Sequence, residues 1–253
     1  MILAANVGNT SFALSFGKNC NMTVTKYAVD SIVSHQDFTK TIDSFMKDLN
    51  ISSGDIKGAI LASVKPKLTQ LLVQSLKDIL DIDPLIVNPD MDMSLDLSNY
   101  DTTLIGNDRI AICEAALSVE YISPIVVFDF GTATTINVLE GSKFLGGSIL
   151  AGFMMGLRAL SKDTEQLNYY EISSQVNLIG ENTRECILSG AVFGNASILD
   201  GMVQQLENHL KRKLTVLITG GNASFILPHC KTNVIYEPNL LMKGLNILYE
   251  KNI

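Results

Sequence analysis

The chain has 253 residues, 47% of them hydrophobic and 18% charged, and a net charge of −7. That composition is ordinary for a globular protein with a sizeable core, and the length fits one large domain or two small ones. No long basic run occurs, which argues against a non-specific nucleic-acid binder, whose affinity rests on many phosphate contacts.

Cys20, Cys113, Cys186 and Cys230 are far apart, form no CxxC pair and suggest no zinc site. Cys113 and Cys186 fall in helical-looking segments and are expected in the core. The opening Met1-Ile2-Leu3-Ala4-Ala5-Asn6 lacks the basic region of a secretory signal, and no uninterrupted apolar stretch approaches the ~20 residues of a membrane span. The expected setting is reducing and cytoplasmic, with no membrane and no nucleic acid as partner.

Three strands are expected over 1–6, 11–17 and 22–29, then a helix over 36–49 whose Phe38, Ile42, Phe45, Met46 and Leu49 recur on one face. A strand at 59–64, a helix carrying Leu68, Leu72, Leu76 and Leu80, and a strand at 85–87 follow. A less regular stretch, 89–106, leads to a helix over 108–120. The second half repeats the order: strands at 125–129, 133–139 and 143–150, helices at 153–162 and 181–212, a strand at 214–218, a short helix, a strand at 233–236 and a helix at 239–250. Mixed order of this kind implies an α/β fold of two similar lobes, each a sheet covered by helices, divided as 1–122 and 123–253.

In the long helix Gly190, Gly194, Ser197 and Gly201 form one stripe, although each Gly costs about 1 kcal/mol against Ala. Tight packing within the lobe is the favoured reading, with a helix–helix contact between copies as the alternative.

The repeat is sharpest in two turns, Asn6-Val7-Gly8-Asn9-Thr10 and Asp129-Phe130-Gly131-Thr132-Ala133-Thr134-Thr135. A strand that ends in a Gly/Thr turn and doubles back offers N–H groups and hydroxyls to an anion. Thr219-Gly220-Gly221, at the end of a strand and the start of a helix, is a third such turn. GxxxxGK[ST], GxGxxG after a strand and GxSxG are all absent, and His35, His209 and His229 have no motif context. In Gly106-Asn107-Asp108-Arg109, Asp108 reads as an N-cap or as a base that orients a hydroxyl. A cation in the first helical turn opposes the macrodipole, so Arg109 hints at an anionic partner.

These segments resemble the type III pantothenate kinases, of the acetate and sugar kinase, heat-shock chaperone and actin superfamily. Asn6 to Thr10 resembles the family's Asp-x-Gly-Asn-Thr, and Ala62-Ser63-Val64-Lys65-Pro66 its Ser-Ser-Val-Val-Pro. Gly106 to Arg109 resembles Gly-x-Asp-Arg, and Asp129 to Thr135 is similar to the second phosphate loop. Leu145-Gly146-Gly147 with Gly152, Ile179 to Thr183, and Thr219 to Gly221 complete seven matches in order along nearly the whole chain.

The resemblance implies a duplicated actin-like ATPase fold and transfer of phosphate from ATP to the terminal hydroxyl of pantothenate, the first step toward coenzyme A. It implies Asp108 as catalytic base, with Tyr100, Gly106, Asn107, Asp108, Arg109 and Thr183 binding substrate. Asn6, Val7, Gly8, Asn9, Thr10, Gly131, Thr132, Gly220 and Gly221 would bind nucleotide, and Asp129 the metal. Magnesium, potassium or ammonium, and a homodimer in which Thr183 serves the partner's site, are implied with them.

The chain departs from the family pattern at several places. Asn6 stands in place of the first aspartate, and Lys65 in place of a valine. Ala151, Asn168 and one of Thr102 or Thr103 stand where the family has proline. Losing one charge aimed at phosphates costs roughly 3 kcal/mol, about 100-fold in rate. Two functions therefore fit: a working pantothenate kinase, and a weakened or inactive relative that binds nucleotide or pantothenate in a regulatory role. Another small-molecule kinase or phosphatase of the superfamily is a weaker third.

Overall fold

The computed structural model describes residues 1–17, 22–119, 121–172 and 175–253; Cys20 lies outside the described residues. The chain forms two compact units, one of Met1–Glu120 with Asn239–Ile253, the other of Tyr121–Pro238.

In the first unit β1 (Ile2–Val7) pairs antiparallel with β2 (Ser11–Phe16), and β2 with β3 (Thr23–Ala28). On its other side β1 pairs parallel with β4 (Gly58–Ser63), which pairs parallel with β5 (Leu85–Ile86). The sheet order is β3-β2-β1-β4-β5. Nearly every residue of β1 and β4 is buried, as expected of central strands covered on both faces. Helix α1 (His35–Asp48) starts at a capping box in which Ser34 and Asp37 satisfy each other's free N–H groups. It packs with α2 (Pro66–Leu80), whose first residue is proline, on a core that includes Phe12, Phe38, Phe45 and Leu72.

The second unit repeats this order. Its strands are β6 (Ile125–Phe130), β7 (Ala133–Glu140), β8 (Lys143–Ala151), β9 (Thr215–Thr219) and β10 (Ile235–Tyr236), arranged β10-β9-β6-β7-β8. β6 pairs antiparallel with β7 and parallel with β9, as β1 does with β2 and β4. Helices α4 (Phe153–Asp163), α5 (Thr183–Leu210) and the short α6 (Ala223–Ile226) belong to this unit. One face of α5 enters the core through Val192, Ala196, Leu199 and Val203. By length and composition α5, with 28 residues and an 18-residue stretch of mean hydropathy 1.4, would also suffice to cross a membrane.

Two expectations need correction. The C-terminal helix α7 (Leu240–Lys251) belongs to the first unit, not to a second lobe running from 123 to 253. It lies on α3 (Asn107–Leu117), where Gly244 has no side chain to strike the Ala111 carbonyl, and Tyr249 fills the space over Gly58 of β4. The Lys251 ammonium sits 2.6 Å from the carboxylate of Glu114, which is 1% exposed and also accepts the N–H groups of Ser94 and Leu95. Cys186 is exposed rather than part of the core, while Cys113 is buried.

Breaking a buried ion pair strands the remaining charge, at about 3 kcal/mol or more. We expect Lys251→Met to lower stability by about that amount in urea unfolding, whereas Lys77→Met, which breaks the exposed pair with Asp83, changes it by less than about 1 kcal/mol.

Candidate active site

In each unit the carboxyl ends of the two central parallel strands open at the same edge of the sheet, where open α/β sheets bind their ligands. In the first unit this edge gathers the Gly8–Thr10 turn, the start of the Val29–Ser31 turn and the Ser63–Lys65 segment. Gly8 N donates to the Ser11 carbonyl at 2.9 Å, Val29 N to the Thr10 carbonyl at 3.0 Å, and Val64 N to the Val7 carbonyl at 3.1 Å. Asn6 Oδ1 is buried and has no hydrogen-bond partner among the described residues. A buried acceptor left unpaired costs about 1–3 kcal/mol unless a ligand pairs with it.

The Tyr100–Arg109 segment lies in the same unit. Gly106 is the N-cap of α3, so Asp108 is not the cap but the second helical residue, and its Oδ1 accepts the Arg109 N–H at 2.9 Å. A side chain on Gly106 would run into that carboxylate. Arg109 is buried at 6% exposure; its guanidinium lies 5.9 Å from the Tyr100 ring centre, with Nη1 3.4 Å from the Tyr100 hydroxyl. Tyr100, Gly106, Asn107, Asp108 and Arg109 thus form one cluster. Burial pushes the Asp108 carboxyl above the usual carboxylate range, offset in part by the Arg109 N–H and charge. A carboxyl raised in this way is better matched to general acid–base work than an ordinary one.

In the second unit the second turn is held by residues far apart in sequence. Gly220, at φ +97°, lies against Asp129 and Phe130 where a Cβ would collide with both. Gly152 likewise leaves room for the Gly131 and Thr132 carbonyls. Asn222, which belongs to no motif, donates its backbone N–H to the Phe130 carbonyl and its Nδ2 to the Gly131 carbonyl, both at 3.0 Å. Its place directly after Thr219-Gly220-Gly221 is the only sequence signal for that role. Gly131 and Gly220 together leave the Asp129 carboxylate in a cradle that any side chain would fill. Among the described residues no three acidic, His or Cys side chains cluster as a metal site. A single carboxylate beside glycine backbone fits magnesium, which is bound by one or two carboxylates together with substrate phosphates and water.

Thr183 is the first residue of α5 and is exposed. The Asn182 side chain caps that helix by accepting the Glu185 N–H at 3.0 Å, and Glu185 in turn accepts the Glu181 N–H. Thr183 lines a groove of about 790 Å³ with Gly152, Gly156, Leu160, Gly190 and Ile198. Gly190, Gly194 and Gly201 have nothing within 4 Å of where a Cβ would stand, so the stripe faces open space and is not packed within its own unit.

Residues 2–205 match the family model described as type III pantothenate kinase. The chain is similar over its full length to curated type III pantothenate kinases. That of Bacillus cytotoxicus is 31% identical, with 97% of its length covered, and that of Exiguobacterium sp. (strain ATCC BAA-1283 / AT1b) is 32% identical, with 99% covered. A solved structure, (R)-2-hydroxyglutaryl-CoA dehydratase component A of Acidaminococcus fermentans, matches with a TM-score of 0.53 at 12% identity. That match covers 98% of this chain and 96% of that one, and is a likeness of fold alone. The duplicated order of strands and these neighbours agree on the actin-like ATPase fold.

A carboxyl with a higher pKa in the fold than in the unfolded chain holds its proton more tightly when folded. Its stabilising contribution is complete below the usual carboxylate range and is lost as pH rises through the folded value. Asp108→Asn removes that loss. The variant is expected to gain stability relative to the parent between about pH 4 and about pH 7 in paired thermal melts. An equal difference at both pH values would contradict the raised carboxyl.

Proposed function

We propose a pantothenate kinase, on the premise that the chain belongs to the type III pantothenate kinase family: it transfers the γ-phosphoryl group of ATP to the terminal hydroxyl of pantothenate and so opens coenzyme A synthesis. The observation that carries the reading is the cluster of Asp108, Arg109 and Tyr100, a raised carboxyl beside a buried guanidinium, in a chain matched along its length by that family. Arg109 and Tyr100 hold the pantothenate end, with the Arg109 charge directed at its carboxylate. Gly106 and Asn107 shape the wall beside it. Asp108 takes the proton from the attacking hydroxyl as the new oxygen–phosphorus bond forms and the bond to the ADP oxygen breaks.

The Val7–Thr10 segment in the first unit is assigned to phosphate through the Asn9 and Thr10 N–H groups, the Gly8 N–H being held by the Ser11 carbonyl, and in the second unit Gly131 and Thr132 have the corresponding role, with the two threonines adding hydroxyls. Gly220 and Gly221 open the strand end for the nucleoside. Asp129 is the residue that would hold magnesium, which supplies charge neutralisation at the phosphates when bound. Potassium or ammonium is the monovalent cation we assign, and the cytoplasm the compartment. The protein is a homodimer through the open face of α5, with Thr183 serving the partner's pantothenate. The neutral, unpaired Asn6 supports one second reading, a weakened relative that binds the same ligands in a regulatory role.

With magnesium-ATP the purified protein is expected to form ADP only when pantothenate is present, faster with potassium or ammonium ions, and Asp108→Asn to lose more than about 100-fold in kcat while still binding ATP. No pantothenate-dependent turnover from folded protein would leave the regulatory reading. Gly194→Leu is expected to convert the dimer to monomer in light scattering; a dimer that survives it would exclude the α5 face.

A further inference from the structure

Asn6 cannot recruit a cation as a carboxylate does, yet the turn that follows it is built to face phosphate. Its amide carries no charge, and its Oδ1 is a buried acceptor without a partner among the described residues. In the second unit the same strand end carries Asp129.

The strand beside it carries a second peculiarity. β1 and β4 run parallel in the register Asn6 to Ala62 and Val7 to Ser63, and the pairing continues through the Val64 N–H to the Val7 carbonyl. The next residue is Lys65. Its backbone is fixed on both sides: its N–H donates to Ser63 Oγ at 3.1 Å, and its carbonyl accepts the Thr69 hydroxyl at 3.0 Å as α2 begins. Its ammonium has no hydrogen bond or ion pair among the described residues. The side chain is half-buried and lines a groove of about 840 Å³ with Val29, Ile32, Val33 and Leu68. Val29 is itself bonded to Thr10 of the turn, so the groove adjoins it. Asp30 also lines the groove and forms no ion pair with Lys65. Lys67, two residues later, also borders the groove but is exposed.

We propose that Lys65 is a nucleotide-phosphate ligand, supplying in the first unit the positive charge that Asn6 cannot recruit through a metal ion. The proposal rests on the kinase reading and deepens it. A carboxylate holding a divalent cation presents one net positive charge to a phosphate. An amide beside a lysine presents the same net charge with no metal. Lysine binds phosphate as a compact point charge and needs no planar fork to do so. Asn6 Oδ1 is then an acceptor for the ammonium or for a water it holds. The two departures at neighbouring strand ends compensate each other, and neither is decay.

Calorimetric titration with ADP and with a non-hydrolysable ATP analogue, in magnesium and in EDTA, tests this. Lys65→Gln is expected to weaken nucleotide binding roughly ten- to hundredfold in both media, the range for one charge-assisted contact. Lys67→Gln is expected to weaken it by less than about threefold, as an exposed charge does. The double change Asn6→Asp with Lys65→Val is expected to recover binding in magnesium but not in EDTA. Unchanged affinity in Lys65→Gln, with wild-type binding and pantothenate-dependent turnover intact, overturns the role of Lys65 and leaves the kinase reading standing. Folded wild-type protein that binds neither nucleotide overturns both.

Discussion

Parallel pairing of the first strand of each unit with the fourth is the constraint on which the rest of the structure depends. Because β1 and β4, and β6 and β9, run the same way, the turns that leave them emerge at one edge of their sheet. Antiparallel β2 and β7 begin at that same edge, so Gly8–Thr10 and Gly131–Thr132 must double back there. The Gly8 N–H closes the first turn onto the Ser11 carbonyl, and turns that double back at a sheet edge are where backbone N–H groups can be aimed at an anion. Chemistry is thus placed by hydrogen-bond direction before any side chain is chosen.

Side chains then decide what each edge does, and the two units have diverged. In the second, Gly220 lies against the Asp129 carboxylate where a Cβ would collide, while Gly152 and the Asn222 bridge hold the backbone of the Gly131–Thr132 turn. In the first, the equivalent carboxylate is an amide with Lys65 at the neighbouring strand end, and Asp108 and Arg109 lie on the helix that follows the irregular stretch. Arg109 stays in an unfavourable helix-terminal position because Tyr100 offers its ring and hydroxyl. Asp108 pays for its burial with a raised affinity for protons, which is the property a base requires.

Much of this was legible in the sequence. Strand runs such as Ile125–Phe130 and one-face helices such as His35–Asp48 carry their own periodicity, and the repeated turns give away the duplication. What was not legible depends on contacts between distant segments. Nothing near Gly244 in the sequence says that Ala111 lies against it, so chain order alone places the last helix in the second unit. Cys186 has a core residue's type and neighbours, yet its turn of α5 points it outward. The glycine stripe looked like internal packing because small residues signal close approach without saying to what. Asn222 had no pattern of its own, since its role is set by where Gly131 lies.

The placement of α7 also bears on how the chain comes to be folded during synthesis. The second unit is continuous in sequence, and domains tend to fold as units while the chain emerges. The first unit has all its strands early but receives its closing helix last. Until then Glu114 has no ammonium opposite it, and Gly58 and Ala111 are bare to water. The half made first is therefore the half completed last. The cluster around Asp108, on the helix that α7 covers, takes its final form only after the Asp129 edge already exists.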